Sequence, residues 1–225
     1  MKAYGFSIAS NYLIKLIRGL YIFAIAFSLL SCSEEVVLCP DESHPHAIDL
    51  GLPNGTKWAC CNVGAPLPQE TGGFYSWGET QVKSCYDRVN YLHGELSNRI
   101  PQRMGDIAGS EYDVAKVRNG PIWEMPTSNQ WQELIDYSKW KWVKYKGHHG
   151  WMVTGPNGNS IFLPAGGERY GETEWHDKDE RGAYWASNLN TEEKPFEFRF
   201  HDGMHEVRVI DRFDPGFNIR PIVAQ

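Results

Sequence analysis

Hydrophobic and polar residues alternate most regularly along residues 196–209. Every second residue from Phe196 to Phe200 is a phenylalanine, and Asp202-Gly203 is a favoured two-residue hairpin turn. The turn fixes a register that pairs Phe200 with His205, Arg199 with Glu206, Phe198 with Val207, Glu197 with Arg208 and Phe196 with Val209. Both charged pairs have opposite signs, and a shift by one residue would set Phe198 against Arg208. The pattern therefore predicts an antiparallel hairpin in this register.

The clearest helical period lies between Thr127 and Tyr137. Thr127 and Gln130 have the spacing of a capping box, in which each side chain bonds the backbone N–H of the other residue. Trp131 and Leu134 then fall on one face of the turn that follows. The pattern predicts a helix over residues 127–137 whose apolar face packs on the core.

Shorter signals divide the rest of the chain. Asn54-Gly55 and the stretch 156–159 are predicted turns between paired strands. A short helix is predicted over 110–117, and further strands are predicted at 141–145, 151–154, 160–163, 183–187 and 217–223. No internal repeat and no Gly/Ser-rich linker follows residue 46. These elements predict one α+β domain over residues 46–225, with short antiparallel strands and hairpins, about two helices and long ordered loops.

The first 31 residues are typical of an export signal. They hold three basic residues, no acidic residue and a 12-residue apolar run. That run is shorter than the roughly 20 residues that a membrane-spanning helix needs. Leu29-Leu30-Ser31-Cys32 resembles the bacterial lipobox, in which the cysteine becomes the lipid-modified first residue. We predict a lipoprotein signal peptide over 1–31, lipid attachment at Cys32 and a tether over 32–45.

These predictions place the chain at the outer membrane, held by its lipid. Ser33-Glu34-Glu35 resembles the short acidic signal that directs some lipoproteins to the outer face, so surface exposure and a periplasmic orientation are both open. The chain has 22 Lys and Arg against 28 Asp and Glu, and removal of residues 1–31 leaves 19 against 28, a net charge of −9. Without a basic block, neither nucleic acid nor an anionic lipid surface is an expected partner of the domain itself.

Four cysteines follow the predicted lipidation site, and an exported chain permits disulfides between them. The sequence leaves all three pairings open for Cys39, Cys60, Cys61 and Cys85. Cys60 and Cys61 would point to opposite faces if they lay on a strand. No Cys-x-x-Cys pair occurs, and His201 and His205 fall on opposite faces of the predicted hairpin. No metal site is therefore predicted.

Seven segments, spread over about residues 46–223, carry a family resemblance. The first begins with Asp49-Leu50-Gly51-Leu52-Pro53-Asn54-Gly55, and the set comprises residues 49–59, 61–65, 74–80, 123–127, 153–165, 182–187 and 219–222. Together they resemble the Fibrobacter succinogenes major paralogous (FISUMP) domain. The resemblance implies a C-type-lectin-like fold, related to that of formylglycine-generating enzymes, in a cell-surface lipoprotein without a defined activity. The chain departs from the family at Glu124, where arginine is usual, and in the charged stretch 168–181.

No motif in the sequence indicates catalysis. The copper-binding cysteines of the formylglycine-generating relatives lie late in the chain, whereas no cysteine follows Cys85 here. Gly-x-Ser-x-Gly, His-Glu-x-x-His and phosphate-loop motifs are also absent. The carboxylates of residues 168–180 are predicted to form a solvated loop rather than a glycosidase pair. We expect no catalytic residue and no enzyme activity.

A calcium-dependent lectin would carry a Glu-Pro-Asn or Gln-Pro-Asp tripeptide, and neither occurs. No cofactor is therefore expected, although the acidic stretch 168–181 leaves weak calcium binding open.

Ligand binding is predicted in the charged segment 168–181. Trp175 and His176 lie at its centre and Arg169 near its start. An exposed tryptophan in a polar loop can stack on a sugar ring or anchor a protein. We predict a non-catalytic binding domain for an extracellular glycan or protein, with these three residues in the site. A structural or adhesive role in a surface assembly, a variable receptor of the diversity-generating type, and packing of Trp175 onto the core are the open alternatives.

Overall fold

Twelve short strands and two short helices form the regular structure of the residues described by the computed structural model. These are Cys39 and residues 43–94, 105–172 and 174–225, without the side chains of Glu174 and Trp175. The strands are β1 (Ala47–Asp49), β2 (Lys57–Ala59), β3 (Trp123–Glu124), β4 (Lys139–Tyr145), β5 (His148–Thr154), β6 (Ser160–Pro164), β7 (Glu168–Tyr170), β8 (Glu174–His176), β9 (Arg181–Leu189), β10 (Pro195–His201), β11 (Met204–Val209) and β12 (Ile222–Val223). The helices are α1 (Val114–Asn119) and α2 (Ser128–Tyr137).

The fold is mixed α+β, and the described residues belong to one compact unit, residues 38–225. Neither described helix has the length and apolar character needed to cross a bilayer. The predicted signal peptide and Cys32 lie outside the described residues.

The strands form four small antiparallel sheets, with the orders β1-β2-β12-β3, β11-β10-β9, β4-β5-β6 and β7-β8. In the first sheet, β12 lies between two strands that come much earlier in the sequence. Ile222 pairs with Trp58 on one side and with Glu124 on the other.

The predicted hairpin of residues 196–209 is confirmed residue by residue. β10 and β11 pair in the predicted register, from Phe200 opposite His205 to Phe196 opposite Val209. Phe198 and Phe200 are fully buried, which explains why the register is fixed, because a shift by one residue would exchange them for charged neighbours. The predicted turn at 156–159 is confirmed too, since β5 and β6 pair on either side of it.

Helix α2 is confirmed with its predicted cap. Thr127 Oγ1 accepts the Gln130 N–H at 3.3 Å, and Gln130 Oε1 accepts the Thr127 N–H at 2.8 Å. Trp131 and Leu134 are fully buried on the inner face of the helix. The helix is therefore held by local capping and by a narrow apolar stripe.

Strand β9 divides the interior into two aromatic cores. Because side chains alternate along a strand, Tyr184 and Trp185 enter different cores. Tyr184 joins Trp131 in the first, and Trp185 packs on Phe217 in the second, with ring centroids 4.3 Å apart. The Trp185 indole N–H donates to the Tyr75 carbonyl at 2.8 Å, so this buried ring is fully satisfied.

The predicted strand at 217–223 is wrong over most of its length. Only Ile222–Val223 is a strand, while Phe217 and Asn218 make single bridges elsewhere. Pro221 has no N–H to donate to a ladder, and the fully buried Arg220 side chain donates instead to the carbonyls of Ala59 and Phe162. The sequence pattern showed an apolar run, but it did not show that the Arg220 side chain would lie inside the core.

The predicted helix at 110–117 begins later than expected, at Val114. The Asp113 carboxylate accepts the N–H groups of Ala115 and Lys116, so it caps the helix at this point.

Candidate functional site

The predicted ligand loop contains a short hairpin. β7 and β8 pair antiparallel, with Glu168 opposite His176 and Arg169 opposite Trp175. The chain makes a tight turn just before β7, because Gly167 has a φ of +72° and a Cβ there would lie 2.1 Å from the carbonyl oxygen of His176. Residues 168–170 and 174–176 are thus paired strands, where the sequence suggested an irregular loop. These two strands are called the base of the hairpin.

A buried ion pair holds the base of this hairpin. Glu168 is 7% exposed, and its Oε1 lies 2.8 Å from Arg199 Nη2 on β10. Glu197, on the same strand and fully buried, lies 3.7 Å from the Arg199 guanidinium and also pairs with Arg208. The prediction of a solvated acidic loop is wrong for Glu168, because this carboxylate is buried and Arg199 offsets part of the cost of its desolvation.

Arg169 is part of the same base. Its guanidinium lies over the rings of Phe74 and Tyr86, 5.9 and 5.8 Å from their centroids. Its backbone N–H donates to the Gly216 carbonyl and its carbonyl accepts the Gly216 N–H, each at 2.9 Å. Arg169 therefore has a packing role in the structure, and any contact that it makes with a ligand would be additional.

The structure brings two of the three predicted binding residues into direct backbone register, but it turns the third, His176, to the face of the hairpin opposite Arg169. Arg169 is paired with Trp175, and His176 follows on β8. The His176 ring packs edge-on against Tyr170, with centroids 6.1 Å apart. The Trp175 side chain lies outside what the structure describes, so its role as the anchor stays a prediction.

A second cluster was missed by the sequence argument. One ligand atom from each of four side chains lies within 4.8 Å of every other in the group formed by Cys39, His44, His46 and Cys60. The distances between Nδ1 and Sγ atoms are 3.6 Å for His44 and Cys39, 3.3 Å for His44 and Cys60, and 3.7 Å for His46 and Cys60. Cys60 is fully buried and the other three side chains are half-buried.

The pairing of β1 with β2 creates this cluster. Ala47 lies opposite Ala59, so His46 and Cys60 are neighbours just beyond the ladder, and the Cys60 N–H donates to the His46 carbonyl at 2.9 Å. In return, the His46 N–H donates to Cys60 Sγ at 3.1 Å. The described part of the predicted tether is thus attached to the domain.

None of the four described cysteines is in a disulfide. Cys60 and Cys61 follow β2 rather than lying on it, and their Sγ atoms are 3.2 Å apart, so the expectation of opposite faces does not apply. The hydrogen bond between them lowers the pKa of Cys60 and raises the pKa of Cys61, so Cys60 is the one that favours the thiolate. Cys85 instead donates to Asp87 at 3.0 Å.

The acidic segment has local partners. Asp177 pairs with Arg181 at 3.2 Å, and Asp179 lies 3.8 Å from His148. Within the described part of the chain, the Cys/His cluster is the one group of three or more metal-ligating side chains that converge.

A signal for the cluster was present in the sequence. Cys39, His44 and His46 fall within eight residues, and the predicted Asn-Gly hairpin sets Cys60 beside them once its register is known. The spacing of these ligands differs from that of a Cys-x-x-Cys pair, so that motif does not indicate the cluster.

Comparison with known proteins finds no matching family model, no similar curated protein and no similar solved structure.

Proposed function

We propose that this chain is a lipid-anchored bacterial outer-membrane protein whose C-type-lectin-like domain binds an extracellular glycan or protein and catalyses nothing. The lipobox-like sequence at Cys32 supports the anchor, and the FISUMP resemblance supports the fold and the surface setting. The mixed α+β architecture is compatible with that fold.

One observation carries the binding proposal: the β7–β8 hairpin has a rigid base. The buried Glu168–Arg199 pair fixes one strand, and the Arg169 side chain is held over two aromatic rings. A segment held in this way loses less conformational entropy when it binds a ligand than a free loop would. The hairpin therefore supports a fixed backbone at Trp175, the proposed anchor, whereas a contribution of His176 would come from the other face of the strand.

Trp175→Ala should weaken ligand binding by roughly 1–3 kcal/mol, the usual range for an aromatic anchor, with little change in melting temperature. The full chain in detergent would be screened on an array of bacterial and host glycans and surface proteins, and each positive would be titrated. Tyr137→Ala is the matched control, because Tyr137 is an aromatic residue that is 54% exposed on α2. A large loss of stability with unchanged binding would contradict the proposal and would identify Trp175 as a core residue.

Cys32→Ala should abolish lipid attachment and cleavage by the lipoprotein peptidase. Metabolic labelling with an acyl-chain analogue would report attachment, and the mass of the isolated chain would report cleavage. The Cys85→Ala variant is the control, since Cys85 lies far in sequence from the predicted lipobox, which ends at Cys32, and its thiol donates a hydrogen bond to Asp87. Equal labelling of the Cys32→Ala variant and the wild type would overturn the anchor.

A further inference from the structure

We propose that Cys39, His44, His46 and Cys60 form a structural zinc site, which fastens the segment entering the domain to the first sheet. This site lies apart from the binding hairpin in sequence and is independent of the function proposed above.

The separations of the donor atoms fit a tetrahedral ion. Zinc–sulfur bonds of about 2.3 Å and zinc–nitrogen bonds of about 2.0–2.1 Å at tetrahedral angles place sulfur and nitrogen about 3.6 Å apart. In the cluster, His44 Nδ1 lies 3.3 and 3.6 Å from the two sulfur atoms and His46 Nδ1 lies 3.7 Å from Cys60 Sγ. The four groups therefore need little movement to surround one ion.

The donor chemistry selects the metal. Two thiolates and two imidazoles form a soft S₂N₂ set, which favours zinc, whereas calcium and magnesium prefer oxygen ligands. Two thiolate charges also balance one divalent cation. The neutral complex suits a position where Cys60 is fully buried and the other ligands are half-buried.

The surroundings of Cys60 suit a bound thiolate. Its Sγ atom accepts the His46 N–H at 3.1 Å, and the thiol of Cys61 lies 3.2 Å from it. Such outer partners orient a metal ligand and stabilise its charge. With four protein ligands the site is closed, so its role is structural rather than catalytic.

A disulfide between Cys39 and Cys60 is the main competing arrangement in an exported protein. It would use two of the four groups and give no reason for His44 Nδ1 to lie within 3.6 Å of both sulfur atoms or for His46 Nδ1 to lie 3.7 Å from Cys60. Metal binding uses all four donor groups, and we therefore favour zinc.

The first test measures metal in the full chain, isolated in detergent without chelator. We expect about one zinc per chain by elemental analysis, the stoichiometry of a single structural site. After the zinc is removed, cobalt(II) should give an intense tetrahedral d–d spectrum and a thiolate-to-cobalt charge-transfer band. If the isolated chain contains no zinc and the chain treated with cobalt shows neither absorption feature, the proposal is wrong.

The second test compares two cysteine variants. Cys39→Ser should weaken cobalt and zinc affinity by more than about 100-fold, since even the loss of an outer partner costs about 10–100-fold. Cys85→Ser should bind like the wild type, because Cys85 contacts Asp87 outside the cluster. Equal affinity in the two variants would contradict the site, as would a Cys39–Cys60 disulfide in the isolated chain, detected by mass spectrometry of a non-reduced digest.

If Cys39→Ser fails to fold, two other measurements still test the site. The charge-transfer spectrum of the wild type reports bound thiolates directly, and His44→Gln provides a second variant that keeps both cysteines. His201→Gln is its matched control, a histidine outside the cluster whose ring bonds the Asp202 carbonyl. Loss of tight cobalt binding in His44→Gln alone supports the site, and equal binding in both variants rejects it.

Discussion

Trp131→Ala should lower the free energy of unfolding by about 3–5 kcal/mol, the range for truncating a large buried aromatic residue. Trp131 joins three elements: its ring stacks on Phe198 of β10 with centroids 4.4 Å apart, and lies 4.6 Å from the Trp58 ring of β2. Its indole N–H also points to the Trp185 carbonyl at 3.4 Å. The substitution would therefore open a cavity where α2 meets two sheets.

Urea unfolding followed by circular dichroism would measure this loss. Tyr137→Ala, on the same helix but 54% exposed, should change the free energy by no more than about 0.5 kcal/mol. If both variants lost the same amount, helix propensity rather than core packing would explain the effect, and the inferred role of Trp131 would be wrong.

Arg199→Met should also cost about 3–5 kcal/mol near neutral pH, because it removes one partner from a buried ionic cluster. Glu168 would lose its 2.8 Å contact, and the fully buried Glu197 would keep only Arg208. Arg181→Met is the matched control. Its ion pair with a neighbouring aspartate lies at the surface, with the arginine side chain 48% exposed, so a loss of no more than about 1 kcal/mol is expected.

The pH dependence of this loss has a definite sign. Burial raises the pKa of Glu197 even with both arginines present, and removal of Arg199 would raise it further. A carboxyl group whose pKa is higher in the folded than in the unfolded state penalises folding above the folded pKa, and the penalty disappears as the pH falls towards the unfolded value of about 4.3. The deficit of Arg199→Met relative to wild type should therefore shrink between about pH 7 and pH 5. A deficit that stayed constant or grew would contradict the buried-carboxylate explanation.

Local signals in the sequence predicted the elements that local interactions stabilise. The β10–β11 register follows from alternating phenylalanines and complementary charges within 14 residues, and the α2 cap follows from two side chains three residues apart. The mixed α+β class could be inferred from the same periodicities.

The features that the sequence did not predict depend on contacts between residues that are far apart in the chain. β7 is held by Arg199, 31 residues beyond Glu168, and nothing near Glu168 indicates that partner. Arg220 reaches carbonyls 58 and 161 positions away, and so replaces a predicted strand with an irregular buried segment. The Cys/His cluster could be predicted in part. Three of its members are close in sequence, but the fourth, Cys60, comes near them only through the β1–β2 register.

The position of β12 has a consequence for biosynthesis. This strand, the latest in the sequence, supplies the common neighbour of β2 and β3, so the first sheet stays incomplete until residues 222–223 are available. A nascent chain emerging from the ribosome can form α2 or an early hairpin, but it cannot close this sheet until residues 222–223 have emerged. We therefore expect the sheet of β1, β2, β12 and β3 to close after the local hairpins, so its closure is a late step in the folding of this domain.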